Sequence, residues 1–161
     1  MSARAATSRA MAKTPARSKS RSVARLAAVQ ALYQRDMESV PVPALLHEFH
    51  HHRLGATIDE VEYADAEVDF FDDLVKGVSA RGDELDALIA AKLASGWSLK
   101  RLDKPMRQIL RAGAYELVAR PDVPVATIIS EYVDVAKAFY DQRESGFVNG
   151  LLDAIAKDAR S

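Results

Sequence analysis

Apolar residues recur along this chain at steps of three and four and almost never alternate, the period of helices rather than strands. Over residues 20–38, Leu26, Val29, Tyr33 and Met37 fall on one arc at 100° per residue, which predicts a first helix. Pro41 and Pro43 break the pattern; a short second helix is expected over 44–52, with LGATID after it as a loop. Across 64–95, Val68, Phe71, Leu74, Val75 and Val78 keep helical spacing, and Leu85, Leu88, Ile89 and Leu93 resume it after a break near Gly82. Asp83 is the candidate N-cap of that second part, and Ser95-Gly96 its end. Trp97, Leu99 and Leu102 read as a hydrophobic connector plugging two bundles together.

Asp103 is placed to cap the next helix, with Pro105 in its first turn. Its core stripe is Met106, Ile109, Leu110, Gly113, Ala114 and Leu117, and Arg120-Pro121 stops it. Another helix starts near Pro124 and turns Val125, Ile128, Ile129, Tyr132, Ala136 and Phe139 inward. The charged DQRESG segment reads as a loop, followed by a last helix over 147–159 that buries Val148, Leu151, Leu152 and Ile155. The fold class is therefore all-α, about seven helices in two small bundles. Few Gly and Pro (7 and 6) and 48% apolar residues agree with a helical chain that has a real core.

Charge changes the picture. The first acidic residue is Asp36, and the 8 charges before it are all positive; the remaining 126 residues carry 14 basic and 23 acidic side chains. A net charge of −1 therefore hides a basic head on an acidic body, an asymmetry suited to a polyanion. Residues 1–18 have almost no large apolar side chains and read as a disordered basic tail, ahead of one helical domain over 19–161. Arg17, Arg21, Arg25 and Arg35 would form a cationic stripe opposite the apolar arc, if the first helix reaches back to Arg17. The opening residues share an Arg/Ser/Ala-rich, acid-free composition with transit peptides, but the positive run continues into a helix, so a cytoplasmic protein is expected. No run of 18 apolar residues could span a membrane.

Catalytic chemistry finds no support. His47 and His51 sit one turn apart, a spacing that can hold a metal, but the chain has no cysteine and no H-E-x-x-H; His47, His50, His51 and His52 are expected to form a surface patch, with neither metal nor cofactor. The acidic residues over 59–73 fall between core positions, as on a solvated helix face. Phosphate-loop, dinucleotide and nucleophile-elbow motifs are missing. Aromatics beside cations carry more: Lys137 and Phe139 end one predicted helix and Phe147 opens the next. Single-stranded RNA is held by stacking bases on such rings while cations follow the backbone; core packing is the competing reading for either ring.

Four segments then carry a resemblance: AVQALYQRD (28–36), GWSLKRLDKPMRQILRAGAYEL (96–117), DVPVATIISEYVDVAKAF (122–139) and GFVNGLLD (146–153). Together they resemble the NusB family of bacterial transcription antitermination factors over roughly residues 20–158. The resemblance implies two perpendicular three-helix bundles with one further helix, and no enzymatic activity. It implies binding of single-stranded boxA RNA in nascent ribosomal transcripts together with ribosomal protein NusE. NusA, NusG and RNA polymerase are then indirect partners, and a homodimer is possible. Carried over by position, RNA would meet Arg21 and Arg25, with Arg17 and Lys19 just upstream. Phe139 and Phe147 would border the site beside Lys137, with Arg143 in the connection over 140–146. Tyr33, Arg111 and Glu131 would face NusE, and Asn149 would anchor that connection to the last helix. Ser22 and Val23 interrupt the arginine run of other members. Two alternatives remain: an adaptor or homodimer whose basic face meets an acidic protein, and an accessory domain of an RNA cytosine methyltransferase, for which 161 residues leave no cofactor-binding half.

Overall fold

A computed structural model describes residues 2–54, 57–58, 61–62 and 67–160, with side chains over 19–54 and 67–160. Among them are seven α-helices: α1 (Ser2–Glu38), α2 (Val42–Glu48), α3 (Val68–Ala80), α4 (Gly82–Ala90), α5 (Lys104–Ala119), α6 (Val125–Phe139) and α7 (Gln142–Ala159). The all-α expectation holds, apart from a two-residue antiparallel ladder, β1 (Thr57–Ile58) with β2 (Val61–Glu62), whose first strand falls in the expected LGATID loop.

The centre of the molecule is α5. It packs against α1, α3, α4, α6 and α7, while α1, α2 and α3 group on one side and α6 lies along α7 on the other. Its predicted stripe is buried in full, from Met106 to Leu117. Each large aliphatic side chain removed from water there contributes about 1.5–3 kcal/mol. Two glycines let neighbouring helices come close. A Cβ at Gly77 would lie 2.1 Å from the Tyr115 ring, and one at Gly113 would lie 2.8 Å from Leu152 Cδ1. The carbonyls at the end of α5 and in the turn after it converge on one side chain from the C-terminus of the chain. Arg160 donates to the carbonyl oxygens of Leu117 (2.7 Å), Arg120 (2.9 Å), Val123 (3.1 Å) and Glu116 (3.3 Å).

Several boundaries differ from the sequence pattern. The backbone of α1 is helical from Ser2, far ahead of residue 20. The side chains of residues 1–18 lie outside the described residues, Arg17 among them. Helix α1 buries a face centred on alanines (Ala24, Ala27, Ala28, Ala31) with Val29 and Leu32, because α3, α5 and α6 cover it on several sides; Met37, expected in the apolar arc, is exposed. Helix α2 ends at Glu48 and a π-helical turn, Phe49–Arg53, carries the rest of the second predicted helix. Arg81, not Asp83, occupies the N-cap of α4, and Asp83 sits in the first turn, where a carboxylate favours the positive end of the dipole. The connector after α4 turns at Gly96, whose φ of 87° is a left-handed conformation suited to glycine. Helix α7 begins at Gln142, so most of the expected DQRESG loop is its first turns and the link from α6 shrinks to Tyr140 and Asp141.

Candidate nucleic-acid interface

The basic stripe of α1 is divided by burial. Arg25 is 2% exposed and lies among Glu116 of α5 and Glu131 and Tyr132 of α6. Its Nε and Nη2 donate to the two Glu116 carboxylate oxygens at 2.8 and 3.0 Å, and its Nη1 donates to Glu131 at 2.6 Å. The Tyr132 hydroxyl donates to Glu116 at 2.5 Å, and Ser22 donates to Glu131. Burial alone would lower the pKa of the guanidinium; the hydrogen bonds and charge of Glu116, with Glu131 behind them, raise it instead. Tyr132 is driven well above the ordinary phenol range, first by burial and then by the Glu116 charge. Arg25, expected to meet RNA phosphates, is therefore an internal cation whose donors are turned to carboxylates. Glu131, expected to face a partner protein, is one of the acceptors that hold it, and only 16% of its side chain is accessible.

One turn earlier, Arg21 is half-buried. Its guanidinium lies 4.6 Å from the Phe70 ring centroid and its Nε donates to Glu67 at 3.2 Å. Arg120 shares that ring from 5.0 Å and bridges Asp73 and Asp122. Asp122 is held below its usual carboxylate pKa by the Arg120 hydrogen bond, with Arg21 a smaller contributor. Lys19 and Arg35 are exposed on the same helix. Asp73 also accepts from the Tyr115 hydroxyl at 2.6 Å; burial and this bond push the phenol up to about 12.

The other expected contacts gather at the far end of α5, about 24 Å away for a helix of 16 residues. Lys137 is exposed near the end of α6, 3.6 Å from Asp134. Phe139 is half-buried against the core, its ring 6.2 Å from that of Tyr140, whose hydroxyl donates to Asp103 at 2.6 Å. Burial and this bond raise the Tyr140 phenol above its usual range. That carboxylate thus serves Tyr140 rather than capping α5 through its side chain, although Asp103 does occupy the N-cap. Phe147 points outward from α7 and is 38% exposed, so core packing fails for this ring. Arg143 is exposed in the first turn of α7 and makes no ion pair among the described residues. Asn149 is exposed on the same helix and its side chain makes no hydrogen bond among the described residues, so the expected anchor is not formed there.

Trp97 is the largest departure. Instead of plugging two bundles it is 56% exposed, and with Phe147 it flanks a groove of about 580 Å³ floored by Leu102 and Met106. Sequence reasoning treated it as core because a lone tryptophan among leucines gives no sign of which way the connector turns. Of the proposed partner-facing residues, Tyr33 is half-buried on α1, and Arg111 holds α4 to α5 through a forked pair with Asp86 at 2.6 and 2.8 Å. The histidine run is split: the rings of His47 and His51 lie 4.3 Å apart, while His50 turns to Asp72 at 2.5 Å. None of the described helices is long and apolar enough to cross a membrane.

Comparison with known proteins gives a consistent answer. Residues 22–157 match the model of the NusB family. The chain is 69% identical over 144 residues to the transcription antitermination protein NusB of Sphingopyxis alaskensis, covering 89% of this chain and 97% of that one. It is 51% identical over 140 residues to NusB of Caulobacter vibrioides, covering 87% and 94%. Among solved structures, T. maritima NusB superposes with a TM-score of 0.72 at 30% identity, over 88% of this chain and 93% of that one. The antitermination factors NusB and NusE in complex with dsRNA give a TM-score of 0.69 at 26% identity, over 87% and 98%. This chain, whose α1, α5, α6 and α7 carry the four motifs first noted in its sequence, belongs to the NusB family of transcription antitermination proteins.

Proposed function

We propose that this antitermination protein binds single-stranded, boxA-type RNA in nascent ribosomal transcripts jointly with ribosomal protein NusE. NusA, NusG and RNA polymerase complete the assembly, in the cytoplasm, and the protein acts by binding, not by catalysis. The observation that carries this reading is the start of α7, where an exposed Phe147 sits one turn from Arg143, which makes no ion pair among the described residues. An unsatisfied cation next to an open aromatic face is what a strand of phosphates and splayed bases requires. The NusB relative solved with NusE and RNA supports an RNA ligand, and in that relative the RNA is double-stranded. A duplex keeps its bases stacked, so an outward ring favours a single strand here.

In this reading RNA runs from Lys19 and Arg21 at one end of α5 to Lys137 and Arg143 at the other. Arg17 and the basic residues before it add phosphate contacts. Phe147 stacks on a base and half-buried Phe139 backs it. Arg25 sets the position of α1 and does not touch RNA. Tyr33 and the outer edge of Arg111 face NusE.

The test is a titration of a fluorescent boxA-like strand at two salt concentrations, with and without NusE, beside the same sequence as a duplex. The reading expects single-strand binding that weakens as salt rises and tightens with NusE. Affinity indifferent to salt, or preference for the duplex, contradicts it.

A further inference from the structure

We infer that Glu67 is a built-in competitor of RNA: its carboxylate holds Arg21 in the free protein and yields that arginine to a phosphate of the bound strand. The inference rests on the RNA-binding reading above and adds to it a residue that sets affinity without touching RNA. A contrast among three arginines comes first. Their guanidinium groups share one buried ring, Phe70, at 4.6 Å for Arg21, 4.9 Å for Arg25 and 5.0 Å for Arg120. Arg25 gives hydrogen bonds of 2.6, 2.8 and 3.0 Å to Glu116 and Glu131. Arg120 gives bonds of 3.0, 3.1 and 3.1 Å to Asp73 and Asp122. Arg21 gives one, from Nε to Glu67 at 3.2 Å. Its two Nη groups meet no acceptor among the described residues, and neither is closed to solvent. Of the three, Arg21 is the one whose partner can be exchanged.

The place of Glu67 makes the exchange possible. It occupies the N-cap of α3 but makes no side-chain cap there; the carboxylate turns to Arg21 instead. Its backbone N–H donates to the Ser20 carbonyl at 3.1 Å, so α3 stays fixed to α1 whatever the side chain does. The Glu67 side chain is 33% accessible, so an incoming anion reaches the pair. An ion pair this open is weak, worth about a twofold to fivefold equilibrium, and a strand bringing several phosphates outcompetes it. The cation keeps its place when the carboxylate leaves, because the Phe70 ring supports the guanidinium from its face. Exposed Lys19 lies two residues away on the same helix, so both cations then serve one backbone.

The full-length protein is titrated against a dye-labelled boxA-like strand, read by anisotropy, at low and at higher salt. Glu67→Gln should bind about twofold to fivefold more tightly than wild type at low salt, and the gain should shrink as salt screens the charges. Glu67→Ala removes the same charge and should gain as much. In an Arg21→Ala background either change should lose most of its gain, because the competitor has lost the cation it competes for. Asp69→Asn makes the same change of charge two residues on, at an exposed carboxylate with no ion pair among the described residues, and should gain less. Melting temperatures should stay close to wild type, since the Glu67 backbone bond to Ser20 remains. Unchanged affinity in both Glu67 variants, a gain that survives Arg21→Ala in full, or an equal gain from Asp69→Asn overturns the inference and leaves the RNA-binding reading intact. Failure of all these proteins, wild type included, to bind the strand removes both.

Discussion

Arg25 and Arg143 are both read from the sequence as cations that meet RNA, and the fold gives them opposite fates. Around Arg25 the donors of one guanidinium meet Glu116 and Glu131, the Tyr132 hydroxyl donates to Glu116 beside them, and the side chain is shut off from solvent. Around Arg143 there is no carboxylate partner among the described residues, Phe147 stands open a turn away, and solvent reaches both. The difference teaches that a basic residue near a ring is a binding element only where the tertiary fold does not bury it among its counter-charges. In the first region the ions fix how α1 lies on α5 and α6; in the second they are left for something outside the chain.

The comparison is broken most severely at Glu116. Replacing it by alanine leaves Arg25 buried with Glu131 as its one remaining carboxylate, and truncating one member of such a pair costs about 3–5 kcal/mol. Glu116→Ala should therefore lose most of its folding stability in urea unfolding, while a change at Arg143 should leave the midpoint in place. Next is Gly77→Ala. Its new Cβ would meet the Tyr115 ring at 2.1 Å and push the hydroxyl from Asp73, so a loss of about 1–3 kcal/mol is expected by thermal unfolding. Phe147→Ala sharpens the exposed side. RNA affinity should fall by about 1–3 kcal/mol with an unchanged melting temperature, whereas lowered stability with unchanged affinity would return the ring to the core.

The smallest effect concerns alkaline pH. Tyr115 ionises near 12 in the folded protein against 10.0 when free, so the folded state keeps its proton longer. The stability this contributes is complete below pH 10 and is lost as pH rises toward 12. Absorbance at 295 nm should show Tyr115, Tyr132 and Tyr140 ionising late, and Tyr115 should titrate earlier in Asp73→Asn. An early, simultaneous titration of all three would remove the burial argument.

Much of the fold was legible because local signals agreed. Helix α5 has an extended Asp103 at its N-cap, Pro105 in the first turn and an unbroken stripe to Leu117, and all three follow from residues within one segment. Helix α6 begins after Pro124 for the same reason. Arg25 was misread because the partners that bury it are 91 and 106 positions away, and nothing in the pattern of α1 distinguishes it from Arg21. The start of α7 was misread because polar residues 142–146 lie where the helix is mostly open to solvent, so their spacing carries no apolar period. Trp97 was misread because exposure of a large ring contradicts the usual preference of tryptophan, and such contradictions concentrate where a surface is used.

The most direct test of the account measures how RNA affinity falls with salt for the wild-type protein and for Arg21→Ala/Arg143→Ala. If these two side chains neutralise phosphates at opposite ends of α5, the slope of log affinity against log salt should become shallower by about 1.4, two contacts' worth for a single strand. Parallel lines for the two proteins would mean that neither cation touches the backbone, and the contrast between the buried and the open arginine would have no bearing on RNA.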